Sequence, residues 1–300
     1  MKTQKHCFAR LFLLLAGLLS VSLTGCSEES PSGHADTIRA VSWNIEWFPG
    51  RSPRADAAQQ AAHRAEILGF IPSLAADILF LQEIRDAEAA EAIVDALDGL
   101  DLHVVSHFRR PESELSQQLV IASRYPALAA FAEHFTGMAG GGDQPYRGFA
   151  FAALDIPTPG TVLVYCVHLK SNRGEAAVNI AMRETAADQI LAHIHEMEAL
   201  YAESGPVRVM VGGDFNLLLE QPAMAQERTL AKFIDEGFHW TWQGAPFEDR
   251  VTWPARGRFG DASFDHFVTR GLPETQASVI KTPAGELSDH RPVGLEITLE

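Results

Sequence analysis

Cysteine is nearly absent: 300 residues contain three, Cys7, Cys26 and Cys166. That excludes a disulfide-stapled scaffold and any zinc site built from paired thiolates. Positive charge is scarce too, with 24 Lys and Arg against 39 Asp and Glu and a formal charge of −15. A body this acidic binds phosphate backbones poorly by charge alone, because that attraction draws on clustered cations. Bound divalent metal would offset part of the deficit locally. No apolar run approaches the roughly 20 residues of a membrane-spanning helix. Internal repeats and low-complexity blocks are also missing, so residues 38–300 read as one domain. At 46% hydrophobic, that length buries a substantial core.

The first residues are basic, with Lys2, Lys5 and Arg10, and an apolar run over residues 11–23 leads to "LTGC". This is the layout of a secretory signal over residues 1–25. "LTGC" resembles the bacterial lipobox, which implies that Cys26 is lipidated and anchors the protein to a membrane. Residues 26–37 then form a polar tether. Ser27 after the cysteine implies the outer membrane of a two-membrane bacterium, within a cell envelope and facing the periplasm or exterior. With Cys7 removed and Cys26 acylated, only Cys166 remains, and no intramolecular disulfide is available.

Beyond the tether, "TIRAVSWNIEWF" reads as a strand rich in β-branched and aromatic residues. "RADAAQQAAHRAEILGFIPSLA" has helical composition, "ADILFLQEI" fits a buried strand, and "DAEAAEAIVDALDGL" a helix stopped near Gly99. "QLVIASRYP", "FAFAALDIP" and "TVLVYCVHLKS" are further strands, followed by a long helical stretch from "RGEAAVNIAMRETAA" to "YAES". "VRVMVGGDFN", a helix over 224–236, "SFDHFVTR" and "SDHRPVGLEITLE" complete the pattern. Without regular βαβ alternation, this order favours an α/β sandwich of two packed sheets over a doubly wound sheet.

Several strands end in residues that a core would not select: Asn44 and Glu46, Glu83, His168, Asp214 and Asn216, Asp265, and Asp289 with His290. Alternation along an extended chain places Asp214 and Asn216 on one face. One acid at a strand end is usually a cap or a solvated residue, but converging acids need cations or paired histidines to offset burial. An oxygen-only set without thiolates suits Mg²⁺, with Mn²⁺ or Ca²⁺ as alternatives, rather than structural zinc. Two histidines add acid–base capacity, and together the groups specify phosphoryl-oxygen chemistry with an activated water.

In order, "WN", "LQE", "HLKS", "GGDFN", "FDH" and "SDHRP" resemble the motifs of the endonuclease/exonuclease/phosphatase superfamily, of deoxyribonuclease-I-like fold, across residues 38–298. The resemblance implies a four-layer α/β sandwich of two mixed β-sheets flanked by helices, with catalytic groups where strand ends of both sheets meet. It implies that Asn44, Glu83 and Asp289 serve the metal, Glu83 foremost. His168 would contact the scissile phosphate and protonate the leaving group. Asp214 would orient the attacking water with Asn216 as its amide partner, and Asp265 would pair with His290. Arg147, in "YRGFAF", and Lys170, two residues beyond His168 on its strand face, are candidates for binding phosphate.

Other residues read as structural. His193 and His195 fall on a solvated helix face, His103 and His107 in a surface loop, and Cys166 in the core. Glu46 shares a strand face with Asn44 but reads as structural rather than as a ligand. Trp240, Trp242 and Trp253 suit either core or groove. The expected activity is metal-dependent hydrolysis of phosphoesters by a monomer. A nuclease comes first and a phospholipid-headgroup or inositol-phosphate hydrolase second. A non-catalytic surface binding protein on the same fold would be expected to have lost motif residues, and none is lost.

Overall fold

The backbone pattern is that of two sheets, each built around one parallel strand pair. The computed structural model describes residues 37–109, 116–138, 147–157, 160–283 and 287–298. The signal, Cys26 and the tether through residue 36 lie outside these. In chain order, β1 (Thr37–Phe48) is followed by α1 (Ala57–Phe70), β2 (Ile78–Ile84), α2 (Ala87–Val94), β3 (Asp101–Val105) and β4 (Gln118–Ser123). Next come β5 (Ala127–His134), β6 (Gly148–Ile156), β7 (Gly160–His168), α3 (Ala176–Tyr201) and β8 (Arg208–Asp214). α4 (Thr229–Asp235), β9 (His239–Trp240), β10 (Asp265–Arg270), β11 (Ala277–Val279) and β12 (Val293–Thr298) complete the order.

One sheet runs β11-β12-β1-β2-β4-β3 and the other β5-β6-β7-β8-β10-β9. β1 pairs parallel to β2, and β7 to β8; every other pairing is antiparallel. Parallel neighbours need a crossover, and α1 and α3 supply it on the outer faces. Period-two alternation then sorts the apolar residues. Ile38, Ala40, Ile78 and Phe80 meet Val164, Cys166, Met210 and Phe267 between the sheets. Val41, Trp43, Leu79 and Leu81 face the α1–α2 layer. Leu163, Tyr165, Val209 and Val211 face α3 and α4. The molecule is therefore a four-layer sandwich of two mixed six-stranded sheets, as the motif resemblance implied.

The helices follow from local signals. Asp56 caps α1 in a capping box with Gln59, and Asp86 caps α2 by accepting the Ala89 N–H. The helix expected over 224–236 is shorter: a 3₁₀ turn over Pro222–Met224 precedes α4. His103 lies in β3 rather than in a loop, its ring held by Ser123 and the Tyr125 carbonyl. His193 is a clearer correction. It is 8% exposed and packs among Phe131, Phe149, Phe151 and Tyr165, whose hydroxyl it meets at 2.9 Å. His195, on the other side of the helix, is exposed beside Glu236.

Candidate active site

Register brings three motif residues abreast. His168 pairs with Asp214 across β7–β8, and Asp265 pairs with Asp214 across β8–β10. All three continue the inner-face phase of their strands, so they point toward the opposing sheet at its open end. The two glycines before Asp214 permit this approach. A Cβ on Gly213, whose φ is +148°, would lie 2.1 Å from the Val167 carbonyl oxygen, and one on Gly212 would strike the Phe267 ring. From the first sheet, Asn44 reaches across and donates to Asp214 Oδ2 at 3.0 Å.

Backbone strain concentrates here. Glu46, Trp47, Glu83 and Asn216 adopt φ of 38°, 52°, 63° and 56°. Simple alternation would turn Glu83 outward with Leu79 and Leu81. A register shift between Leu81 and Ile84 and the left-handed backbone at Glu83 re-aim it, and its carboxylate accepts the Trp47 N–H at 3.0 Å. Asn216 also departs from the expected alternation. β8 ends at Asp214, the Asn216 N–H returns to Asp214 Oδ1 at 2.9 Å, and its amide donates to the Leu169 carbonyl. It shapes the loop rather than extending the strand face.

Around Asp214 Oδ2 lie His168 Nε2 at 3.3 Å and His290 Nε2 at 3.8 Å. Asp265 Oδ2 meets His290 Nδ1 at 2.7 Å. The loop carrying His290 is bolted to β1: Trp43 donates to the His290 carbonyl and Ser288 to the Asn44 carbonyl. These groups are buried, so environment decides their charge. Burial disfavours the His290 cation, but Asp265 and Asp214 outweigh it and hold the imidazole well above its ordinary range. Burial, with Arg147 and His290, pushes His168 well below its own, leaving a neutral ring. Burial and the neighbouring Asp265 raise the Asp214 carboxyl against the pull of His290.

The two phosphate candidates part company. The Arg147 guanidinium donates to the His168 and Leu169 carbonyls and to Gln117, and its charge acts on Glu83, His168 and Asp214. Lys170 lies beyond the end of β7, and its ammonium donates to the Ser171 and Arg173 carbonyls at 2.9 Å. Its ammonium is held by carbonyls of its own loop. Of the tryptophans, Trp242 is core and donates to the Asp265 carbonyl, Trp240 packs on His266, and Trp253 donates to Asp289 Oδ2 at 3.1 Å. Cys166 is fully buried, and burial pushes its thiol up to about 12, which leaves it without nucleophilic character.

The sequence matches the Endonuclease/Exonuclease/phosphatase family over residues 41–290, an interval that holds every one of these groups. The chain belongs to that family. Family members are hydrolases acting on phosphoester bonds, and typically depend on divalent metal. No curated protein matches in sequence. Solved structures share the fold: TDP2 from Caenorhabditis elegans aligns at 18% identity and a TM-score of 0.60, over 87% of this chain and 97% of its own. A family protein from Bacteroides thetaiotaomicron aligns at 15% and 0.62, over 88% and 95%, and beta toxin from Staphylococcus aureus at 16% and 0.59, over 86% and 98%.

The metal that the family implies can be tested against the donors. Among the described residues, no three His, Cys, Asp or Glu side chains are already gathered around one point. Three carboxylates nevertheless feel one another. Burial, then Asp289, raises Glu83, and burial, then Asp289, with Glu83 adding, raises Glu46 to about 7 against Arg256 and Arg51. Carboxylates raised by burial and by a neighbouring acid, with hard oxygen donors, fit a divalent cation of the Mg²⁺, Mn²⁺ or Ca²⁺ type. Glu83 and Asp289 suit the role, and Glu46, discounted in the sequence, stands beside them. Asn44 stands between the two groups: its amide nitrogen donates to Asp214, and its oxygen accepts the Glu46 N–H with one lone pair left over.

Proposed function

We propose that this chain is a divalent-metal-dependent phosphodiesterase that acts by in-line attack of water, with nucleic acid as its first substrate class. The observation that carries the reading is the Asp265–His290–Asp214–His168 chain, held abreast at the strand ends beside Glu83 and Asp289. Asp214, with Asn44 and His168 on one oxygen, is placed to orient a water and accept its proton. His290, kept cationic by Asp265, stabilises negative charge on the phosphoryl oxygens, and the Asp265 hydrogen bond fixes its ring orientation. His168 enters as a neutral imidazole whose Nε2–H can donate to the phosphate or the departing oxygen. A cation held by Glu83 and Asp289 would neutralise phosphate charge and stabilise the leaving oxygen.

A phospholipid headgroup or inositol phosphate is the second reading, favoured by the acidic body and by the "LTGC" anchor sequence. A panel of supercoiled plasmid, linear DNA, RNA, sphingomyelin vesicles, inositol phosphates and simple diesters, each with Mg²⁺, Mn²⁺ or Ca²⁺, separates the two. Cleavage of no phosphoester under any metal would sink both. We also propose that Cys26 is lipidated and holds the domain at the cell envelope. Cys26→Ser should release the protein from the membrane fraction or leave its precursor uncut; normal processing with membrane retention would remove the anchor.

A further inference from the structure

Behind the reacting groups, on the α3 side, lies an ion pair that the chemistry above does not use. The side chains of Arg183 and Glu227 are 0% and 2% exposed, and the guanidinium grips the carboxylate with both Nε and Nη2, at 2.6 and 2.7 Å. Burying such a pair is costly, and a well-packed apolar pair of similar volume is often as stable or more so. What an apolar pair cannot do is donate further. Arg183 Nη1 donates to the Lys170 carbonyl at 2.8 Å and to Asn172 Oδ1 at 3.1 Å, in the loop just after His168. Asn172 passes the contact on, donating to the Asn216 carbonyl at 2.7 Å. Asn216 in turn ties its amide to the Leu169 carbonyl and its N–H to Asp214 Oδ1, while the Leu169 N–H reaches the Asp214 carbonyl at 2.8 Å.

We propose that Arg183, fixed by Glu227, is a positioning residue for the reaction: through Asn172 it locks the loops after β7 and β8 together and so sets the spacing of His168 and Asp214. The hydrogen bonds form a closed ring through both loops, and Arg183 and Glu227 anchor that ring from outside them. The fork geometry matters, because a lysine has one point of charge and cannot hold the carboxylate and both loop acceptors at once. A misplacement of about an ångström between reacting groups costs on the order of a hundredfold in rate. The proposal rests on the phosphoester-hydrolase reading of the site.

The test replaces the pair with an apolar one, Arg183→Met with Glu227→Leu, and separately breaks the link with Asn172→Ala. The double variant should fold with a lowered melting temperature, because the Lys170 carbonyl, Asn172 Oδ1 and the Thr229 hydroxyl lose their partners. It should lower kcat by about tenfold or more while KM stays within about twofold, the signature of lost transition-state positioning. Arg183→Lys should not restore kcat. Amide hydrogen exchange at Leu169 and Asn216 should quicken in the double variant and in Asn172→Ala. Full kcat in a folded double variant would overturn the proposal. If the double variant does not fold, Asn172→Ala carries the same readouts. If the wild type hydrolyses no phosphoester, the functional reading fails, and unchanged exchange at Leu169 and Asn216 then decides against positioning on its own.

Discussion

Asp214 and His290 approach within 3.8 Å, yet each is held by different neighbours: Asp214 by Asn44 and the Asn216 N–H, His290 by Asp265. That separation makes a prediction about additivity. If Asp265 acts only through His290, the Asp265→Asn/His290→Ala double variant should lose hardly more kcat than His290→Ala alone. Asp214→Asn, which removes the base, should cost roughly two to three orders of magnitude. Fully additive losses in the double variant would mean that the two residues serve separate steps. A second histidine gives a pH prediction away from the chemistry. His266 accepts the Trp240 indole N–H on Nδ1 and donates Nε2–H to the Ser263 carbonyl, which fixes the neutral ring, and burial with Arg250 lowers its pKa to about 3. The unfolded chain, with an ordinary imidazole, binds the extra proton first. Stability is therefore fully present above about pH 6.5 and falls with pH toward about 3, by up to about 1.4 kcal/mol per unit. Urea midpoints of wild type and His266→Gln across pH 4 to 8 should show a shallower slope in the variant; parallel slopes would refute it.

Strand ends do the positioning, and the tightest joint is between β7 and β8. Because a Cβ on Gly213 would sit 2.1 Å from the Val167 carbonyl oxygen, Gly213→Ala must spread the two strands at the point where His168 and Asp214 pair. It should cost about 2 kcal/mol or more and depress kcat as well. Gly69, exposed in α1 with nothing within 4 Å of where a methyl would stand, should respond with the opposite sign, gaining about 0.5–1 kcal/mol as alanine. Denaturant unfolding of both variants checks the pair of signs. Legibility also divides by element. The eight inner strands are readable as apolar runs with polar ends, whereas β3, β5, β9 and β11 are not. Those four are the sheet edges, bonded on one side, short or half-exposed, and so of mixed composition. The re-aimed Glu83 is legible as a residue but not as a direction, since a bulge leaves no mark in the alternation that it interrupts. Arg183 does carry a signal: Asn179, Arg183, Ala187 and Ile190 fall on one buried stripe of α3, where a charge demands a partner. His193, on the same helix, carries none, because the aromatic residues that bury it come from strands far away in sequence.

Across the whole molecule, charge ties fold to function. The sequence carries −15, and the fold sets Asp289 close enough to Glu83 and Glu46 to help raise both of their carboxyls. A cation that binds there binds the folded state alone, because the three acids are scattered in the unfolded chain. Binding of that kind stabilises by RT ln(1 + [L]/Kd), about 2.7 kcal/mol at a hundredfold excess over Kd, or roughly 5–10 °C in melting temperature for a domain of this size. Mg²⁺ or Mn²⁺ should raise the melting temperature by that order, and EDTA should reverse the shift and abolish hydrolysis. Glu83→Gln should move two quantities in opposite directions. It removes one repelling charge, so the metal-free protein should melt at or above the wild type, but it also removes a principal ligand, so most of the metal-induced shift should vanish. Neither change depends on knowing the substrate. Simple screening cannot imitate the pair of effects, since NaCl at matched ionic strength weakens the repulsion without discriminating between Glu83 and glutamine. Equal melting shifts from NaCl and from each divalent salt, with EDTA-insensitive hydrolysis, would take the cation out of the mechanism and leave the three acids without an explanation.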